Sequence, residues 1–227
     1  MRYYATASSP TVREVMRAGA LGLIATPAGG SPPRPGIAWC ADNACYTDRY
    51  PGDQKYLAWL ARHRHLASAC AFATAPDRPG DAAATVARSM PMLERIRGAG
   101  YRAALVAQDG LEHLPIPWGS FDVLFVGGST AWKLSAAATG LAAQARRRGL
   151  TVHMGRVNSL RRLRHAAAIG ATSVDGTYLA YGPDRNLPTL LGWLRQHTGD
   201  GAHPAGPGLP AAAVPVSTSL VPSGVMP

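Results

Sequence analysis

The chain has 227 residues, 47% of them hydrophobic, and a formal net charge of +10. That length allows one large domain or two small ones with a substantial core, and no run approaches the ~20 consecutive apolar residues of a membrane-spanning helix. The N-terminal MRYYATASSP lacks the apolar stretch of a secretion signal, so a cytoplasmic protein without a membrane partner is expected. Three cysteines, Cys40, Cys45 and Cys70, are too few and odd in number for a disulfide framework. No second Cys or His pair completes a zinc site, so free thiols and no metal are expected. The positive charge is uneven. Seven arginines (Arg146, Arg147, Arg148, Arg156, Arg161, Arg162 and Arg164) lie between Gln144 and His165 with no acid among them. Such a run reads either as a solvated helix face or as a contact for a polyanion, with nucleic acid foremost.

In chain order, Tyr3–Ser8 reads as a first strand and Pro10–Gly19 as a first helix, with Ser9 as cap and Pro10 at the first helical position. The apolar run Leu21–Thr26 is a second strand, followed by the loop PAGGSPPRPG, and Ile37–Ala41 is a third, ending in Asp42-Asn43. Tyr56, Leu57, Trp59 and Leu60 recur at helical intervals within Pro51–Leu66. Ala69–Ala75 makes a fourth strand before Pro76-Asp77, and Asp81–Gly98 a long helix that Pro91 should bend or divide. Arg102–Ala107 is a fifth strand ending at Gln108, and Asp122–Val126 a sixth ending in Gly127-Gly128-Ser129. Trp132–Arg148 reads as one helix.

Residues 151–177 then read as strand, turn, helix, turn, strand. Thr151 and Val152 start a strand that runs into Gly155. Asn158 and Ser159 offer capping oxygens to a helix closed by Gly170, and Ala171–Val174 leads to Asp175 at a strand end. Leu187–His197 is the last helix. From residue 199 to 227 the chain is Pro, Gly, Ala, Val and Ser without amphipathic period, and is expected to be a disordered tail.

Eight short apolar runs, most followed by a helix, are what parallel strands buried on both faces look like. A compact (β/α)8 barrel over residues 1–198 is the expected fold, with an open doubly wound sheet of five or six strands as the alternative. In a barrel, function sits at the C-terminal strand ends. Those positions carry Asp42, Asp77, Gln108, Gly127-Gly128, Met154-Gly155 and Asp175. Each alone has an ordinary reading as a cap, a surface amide or a turn residue. Together they suit displacement at a sugar, with one carboxylate as nucleophile and another as proton carrier.

In this order the strand ends resemble the tRNA-guanine transglycosylases, (β/α)8 enzymes that exchange guanine for a deazaguanine, and more closely their small phage and bacterial relatives that act on DNA. The resemblance covers most of residues 37–180. It implies that Asp42, in Trp39-Cys40-Ala41-Asp42-Asn43-Ala44-Cys45-Tyr46, takes the acid/base role of the family's Asp-Ser-Gly-Gly-Phe segment. It implies that Asp77, Gln108, Gly127 and Gly128 hold the base, that Met154, Gly155 and Tyr46 pack on it, and that Asp175, in Gly170-Ala171-Thr172-Ser173-Val174-Asp175, is the nucleophile. Asn43-Ala44 stands where the family has Ser-Gly, and no cysteine follows Cys70 to supply the family's structural zinc motif. That favours DNA over tRNA as substrate.

The implied activity is replacement of guanine in DNA by a free 7-deazaguanine base, without a cofactor, on a flipped or single-stranded guanine. The seven arginines would track the phosphates, in the cytoplasm of the host where a phage encodes the protein. The family's frequent dimerisation adds a homodimer to the expected partners. Alternatives are an enzyme acting on RNA, a small-molecule hydrolase or lyase using the same carboxylates, and a nucleic-acid-binding barrel without catalysis.

Overall fold

The computed structural model describes residues 1–199, and of the side chains those up to residue 196. The expected tail lies, from residue 200 on, outside the described residues. Eight strands, β1 (Arg2–Ala5), β2 (Gly22–Ala25), β3 (Trp39–Ala41), β4 (Cys70–Thr74), β5 (Ala103–Ala107), β6 (Val123–Val126), β7 (Thr151–Met154) and β8 (Ser173–Asp175), close into one barrel in chain order. Every pairing is parallel, including β1 with β8. The open-sheet alternative is thereby excluded, because β8 returns to β1 at Tyr3↔Val174 and Tyr4↔Asp175.

Two cores follow from the period-2 alternation of the strands. Tyr4, Cys40, Phe72, Ala104, Val106, Val123 and Phe125 fill the barrel interior. A larger core lies between strands and helices and includes Trp39, Leu105, Leu124, Val152, Met154 and Val174. The helices are α1 (Pro10–Arg17), α2 (Asp53–Arg62), α3 (Ala82–Gly98), α4 (Thr130–Lys133), α5 (Ala136–Arg147), α6 (Leu160–Ala168) and α7 (Pro183–Gly199). Local chemistry sets their starts. Ser9, Asp81 and Ser159 each accept the backbone N–H three residues on, from Val12, Ala84 and Arg162. Ser9 also donates to Asp184 at 2.7 Å, tying α1 to α7.

Three expectations about elements change. Pro91 sits within α3 without dividing it, on an exposed position. The single helix expected over Trp132–Arg148 is two, because Ser135 leaves the helical conformation and caps α5 through Ala138 N. The last helix begins at Pro183 rather than Leu187, and Pro188 lies inside it.

Candidate active site

A cavity of about 580 Å³ opens at the C-terminal ends of the strands, where the fold concentrates chemistry. Its apolar lining includes Ile24, Val106 and Phe125, and its polar lining Asp42, Asp77, Gln108 and Asp175. Asp42, Gln108, Gly127 and Gly155 are each the first residue after their strand, so the barrel's register turns separate sequence positions into one ring.

Asp175 closes β8, where Ser173 and Asp175 share the inward face and Val174 points outward. Its Oδ2 accepts from His153 Nε2 at 2.9 Å, and its Oδ1 from the Arg156 backbone N–H at 3.0 Å. His153 is 0% exposed, and its Nδ1 lies 2.8 Å from Ser173 Oγ. The rings of Phe72 and Phe125 stand 4.7 and 4.5 Å from the imidazole. A carboxylate accepts only, so Nε2 carries a proton toward Asp175, and the hydroxyl of Ser173 completes the line. The carboxylate plane is therefore gripped from two sides, which fixes its orientation.

Asp42 follows a register shift between β3 and β4. Its backbone N–H donates to Ala25 O, and its Oδ1 accepts from Ala44 N at 2.8 Å. Burial pushes its carboxyl up to about 7, the Ala44 N–H pulls the other way, and the charges of Asp175 and Asp77 add to the rise. A carboxyl group near neutrality can give and take a proton at working pH.

Asp77 is buried and held by two amides. Asn43 Nδ2 donates to its Oδ1 at 2.9 Å and Gln108 Nε2 to its Oδ2 at 2.7 Å. Burial raises its pKa and these bonds moderate the rise. The amide orientations follow from the network: Asn43 Oδ1 accepts from Cys45 N, and Gln108 Oε1 accepts from Gly80 N. The Asp77 backbone N–H and the Cys45 side chain add further hydrogen bonds to the same carboxyl.

The glycines act as walls. A Cβ on Gly127 would meet Val106 Cγ1 at 2.6 Å, and one on Gly155 would meet the Phe125 ring at 2.6 Å. The N–H groups of Gly127 and Gly128 both donate to Ala107 O at 3.0 Å, so neither is turned to a ligand. Their carbonyls accept from Arg156 Nη2.

Arg156 holds left-handed backbone, φ 58, and Ala44 does the same at φ 63. Both sit in mouth loops, where strained backbone concentrates in functional sites. The Arg156 guanidinium lies 4.5 Å over the Tyr46 ring, and Nη1 donates to Tyr46 Oη at 3.0 Å. These loops follow β3 and β7, on opposite sides of the ring, so the pair spans the mouth.

Asp42, Asp77, Gln108, Gly127, Gly128, Gly155, Asp175 and Tyr46 thus converge on one cavity. Met154 does not. It is fully buried in the outer core, because β7 alternation turns His153 inward and Met154 outward. The expectation that it packs on a bound base is corrected, and Phe125 is the apolar side chain facing the cavity there. The seven arginines also divide. Arg156 lines the mouth and Arg162 donates to Arg156 O, while Arg161 and Arg164 are exposed on α6. Arg146, Arg147 and Arg148 end α5, which runs down from the mouth to the opposite pole. They cannot belong to a phosphate track beside Asp175.

Three site groups carry no motif. Asn43 and His153 are polar residues in or beside buried strands. Lys133, 0% exposed, donates from Nζ to Gly155 O at 2.7 Å and so fixes the turn above Asp175. Burial, with Arg156 adding repulsion, lowers its ammonium to about 7, while Asp175 pulls the other way. A polar residue inside an apolar run, as in Thr151-Val152-His153-Met154, is the signal that could have found His153. Among the described residues no group of three or more His, Cys, Asp or Glu could hold a metal ion, and no helix is long and apolar enough to cross a membrane.

No family model matches the sequence, and no curated protein matches it. Among solved structures the chain is similar to the Bacillus subtilis YkuI protein, with an EAL domain, in complex with substrate c-di-GMP and calcium. The identity is 13%, the TM-score 0.42, and the match covers 73% of this chain and 45% of that one. It is also similar to a Silicibacter pomeroyi protein named as a glycerophosphoryl diester phosphodiesterase, at 14% identity and a TM-score of 0.39, over 80% of this chain and 56% of that one. The chain spans about half the length of these structures, and the likeness lies in the fold alone.

Proposed function

We propose that this barrel is a base-exchange transglycosylase that replaces guanine in DNA with a 7-deazaguanine through an ester on Asp175. The observation that carries the reading is the pairing of two unlike carboxyl groups in one cavity. Asp175 is gripped by His153 and the Arg156 N–H, and Asp42 is poised near neutrality beside an amide-held Asp77. The order of these groups along the chain, shared with the transglycosylases, supports it further.

In the first half-reaction a lone pair of Asp175 forms a bond to the anomeric carbon, and the bond from that carbon to guanine N9 breaks. The electron pair leaves with the base, which takes a proton from Asp42. In the second, the incoming deazaguanine gives its ring N–H proton to Asp42 and displaces the ester, returning the pair to Asp175. The His153 N–H stabilises the carboxylate as it leaves. Asp77 accepts from the donor edge of the purine, Gln108 sits beside it, and Phe125 and Val106 supply the apolar floor. The guanine must leave the duplex to reach this depth.

The test is incorporation of isotopically labelled guanine into an oligodeoxynucleotide carrying an unpaired guanine. The wild type is expected to exchange it, and Asp175→Ala and Asp175→Asn to lose exchange. Exchange by either variant overturns the nucleophile. Absence of exchange by the wild type overturns the reaction.

A further inference from the structure

We propose that the pole of the barrel opposite the cavity is a docking surface for the phosphate backbone of duplex DNA, separate from the site that takes the guanine. The choice of DNA rests on the function proposed above, whereas the charge itself does not. Helices α1, α2, α3 and α5 run from the mouth to this pole and end on exposed arginines: Arg17, Arg62, Arg95 and Arg97, Arg146 and Arg147. Arg148 follows directly, and Arg2 and Arg102 stand at the starts of β1 and β5. The acids at this end are Glu14, Glu94 and Asp122. Among the described residues Arg97–Asp122, at 2.8 Å, is the only ion pair between an arginine and a carboxylate. The mouth, by contrast, sets Asp42, Asp77, Asp109 and Asp175 against Arg49 and Arg156, with Lys133 buried behind Gly155. Arginines thus outnumber acids on the face that holds no cavity, whereas carboxylates outnumber arginines in the cavity.

A cation at a helix C-terminus compensates the macrodipole only weakly, and one per helix serves that purpose. Three consecutive arginines at the end of α5 exceed it and repel one another. Two of them are also presented in place. The Arg148 guanidinium lies 4.6 Å over the Trp118 ring. That of Arg146 packs so close to Gly170 that a Cβ there would meet its Cζ at 2.5 Å. Fixed, exposed guanidinium groups without carboxylate partners fit a regularly spaced polyanion, whose counterions are released on binding. DNA docked here lies across the barrel from Asp175, so it tethers the enzyme while leaving the cavity free.

A 30-base-pair duplex of A·T pairs alone isolates this surface, since it offers the cavity no guanine. Fluorescence anisotropy across a salt series is expected to show steep salt dependence for the wild type. The triple variant Arg146→Gln, Arg147→Gln, Arg148→Gln should bind at least about tenfold more weakly, its log–log salt slope shallower by up to ~2.7 at ~0.9 per lost contact. The matching triple Arg→Lys variant should keep wild-type binding, which separates charge from folding. Wild-type affinity and slope in the Gln variant overturn the proposal. So does failure of the wild type to bind the duplex, including the case in which it binds phosphatidylserine vesicles instead. The measurement does not use exchange activity: a wild type that binds this duplex but exchanges no guanine overturns the function and leaves the surface standing.

Discussion

At the base of the barrel, Asp122 receives Arg97 Nη2 at 2.8 Å, Arg97 Nε at 3.1 Å and the Ala103 N–H at 2.8 Å. Burial pushes it up, but these donors outweigh burial and hold its carboxyl below the usual range. At the mouth, Asp42 and Asp77 have no basic side chain as ion-pair partner, and both are raised. The same residue type is thus ion-paired at one pole and left without a basic partner at the other. The base gathers cations that helix ends tolerate; the mouth gathers carboxylates that repel one another and are held by amides, backbone N–H groups and one buried histidine. The difference teaches that unpaired acids here are a feature of position, because even Arg156, which shares their cavity, turns its guanidinium to Tyr46 and the Gly127 and Gly128 carbonyls.

The comparison breaks most sharply at Asp175. Asp175→Asn keeps the shape and removes the proposed nucleophile, so kcat for guanine exchange should fall by about 10⁴-fold or more. A loss under tenfold would make Asp175 a structural residue like Asp122. Next comes the group beneath it. His153→Phe removes the N–H to Oδ2 and should lower kcat by roughly 10²-fold with KM for the base little changed. His153→Gln retains a donor at a similar reach and should restore most of that. Equal losses in the two variants would show that packing alone matters there.

Asp42 and Asp122 then give opposite responses to pH. The raised carboxyl of Asp42 disfavours its ionised form in the folded chain, so its cost to stability develops as pH rises from ~4 towards about 7 and persists above. Asp42→Asn should therefore raise stability by ~1–3 kcal/mol at pH 8 and have little effect at pH 4, while abolishing exchange. In the wild type, kcat/KM for guanine release should fall above pH 7, where Asp42 no longer holds its proton. Asp122 behaves in reverse. Its lowered carboxyl contributes stability above the unfolded value of ~4, lost as pH falls through the folded one. Because Asp122 and Arg97 are about one-third exposed, Asp122→Asn should cost only ~0.5–1 kcal/mol at pH 7, read by urea denaturation. A larger cost for Asp42→Asn than for Asp122→Asn at pH 8 would invert the comparison. The smallest effect belongs to Ala44. Glycine suits its φ of 63 better, so Ala44→Gly should stabilise the mouth loop by up to ~1 kcal/mol.

Much of this architecture was legible in the sequence, because parallel barrel strands are short apolar runs and each ends at a turn residue. That is why Asp42, Gln108, Gly127 and Asp175 could be placed on one ring without coordinates. Face was harder than position. Met154-Gly155 reads as a pair, yet adjacent strand residues point to opposite sides, and only Gly155 reaches the cavity. Charge was legible but not its location. Arg148 and Arg161 are near neighbours in the chain, but a helix end and the next helix start lie at opposite poles of a (β/α)8 barrel. Lys133 and His153 were not legible as site residues. Their roles depend on burial against Gly155 and Asp175, which are distant in sequence and adjacent only once β6, β7 and β8 pair.

The most direct test is mass spectrometry of the protein itself. The wild type is incubated with a guanine-containing oligodeoxynucleotide without free base, quenched in acid and digested. The peptide containing Asp175 should carry the mass of a deoxyribose-linked nucleotide, with free guanine released in equal amount and no adduct in Asp175→Asn. Guanine released without any adduct on Asp175, or an adduct on another residue, would contradict the account.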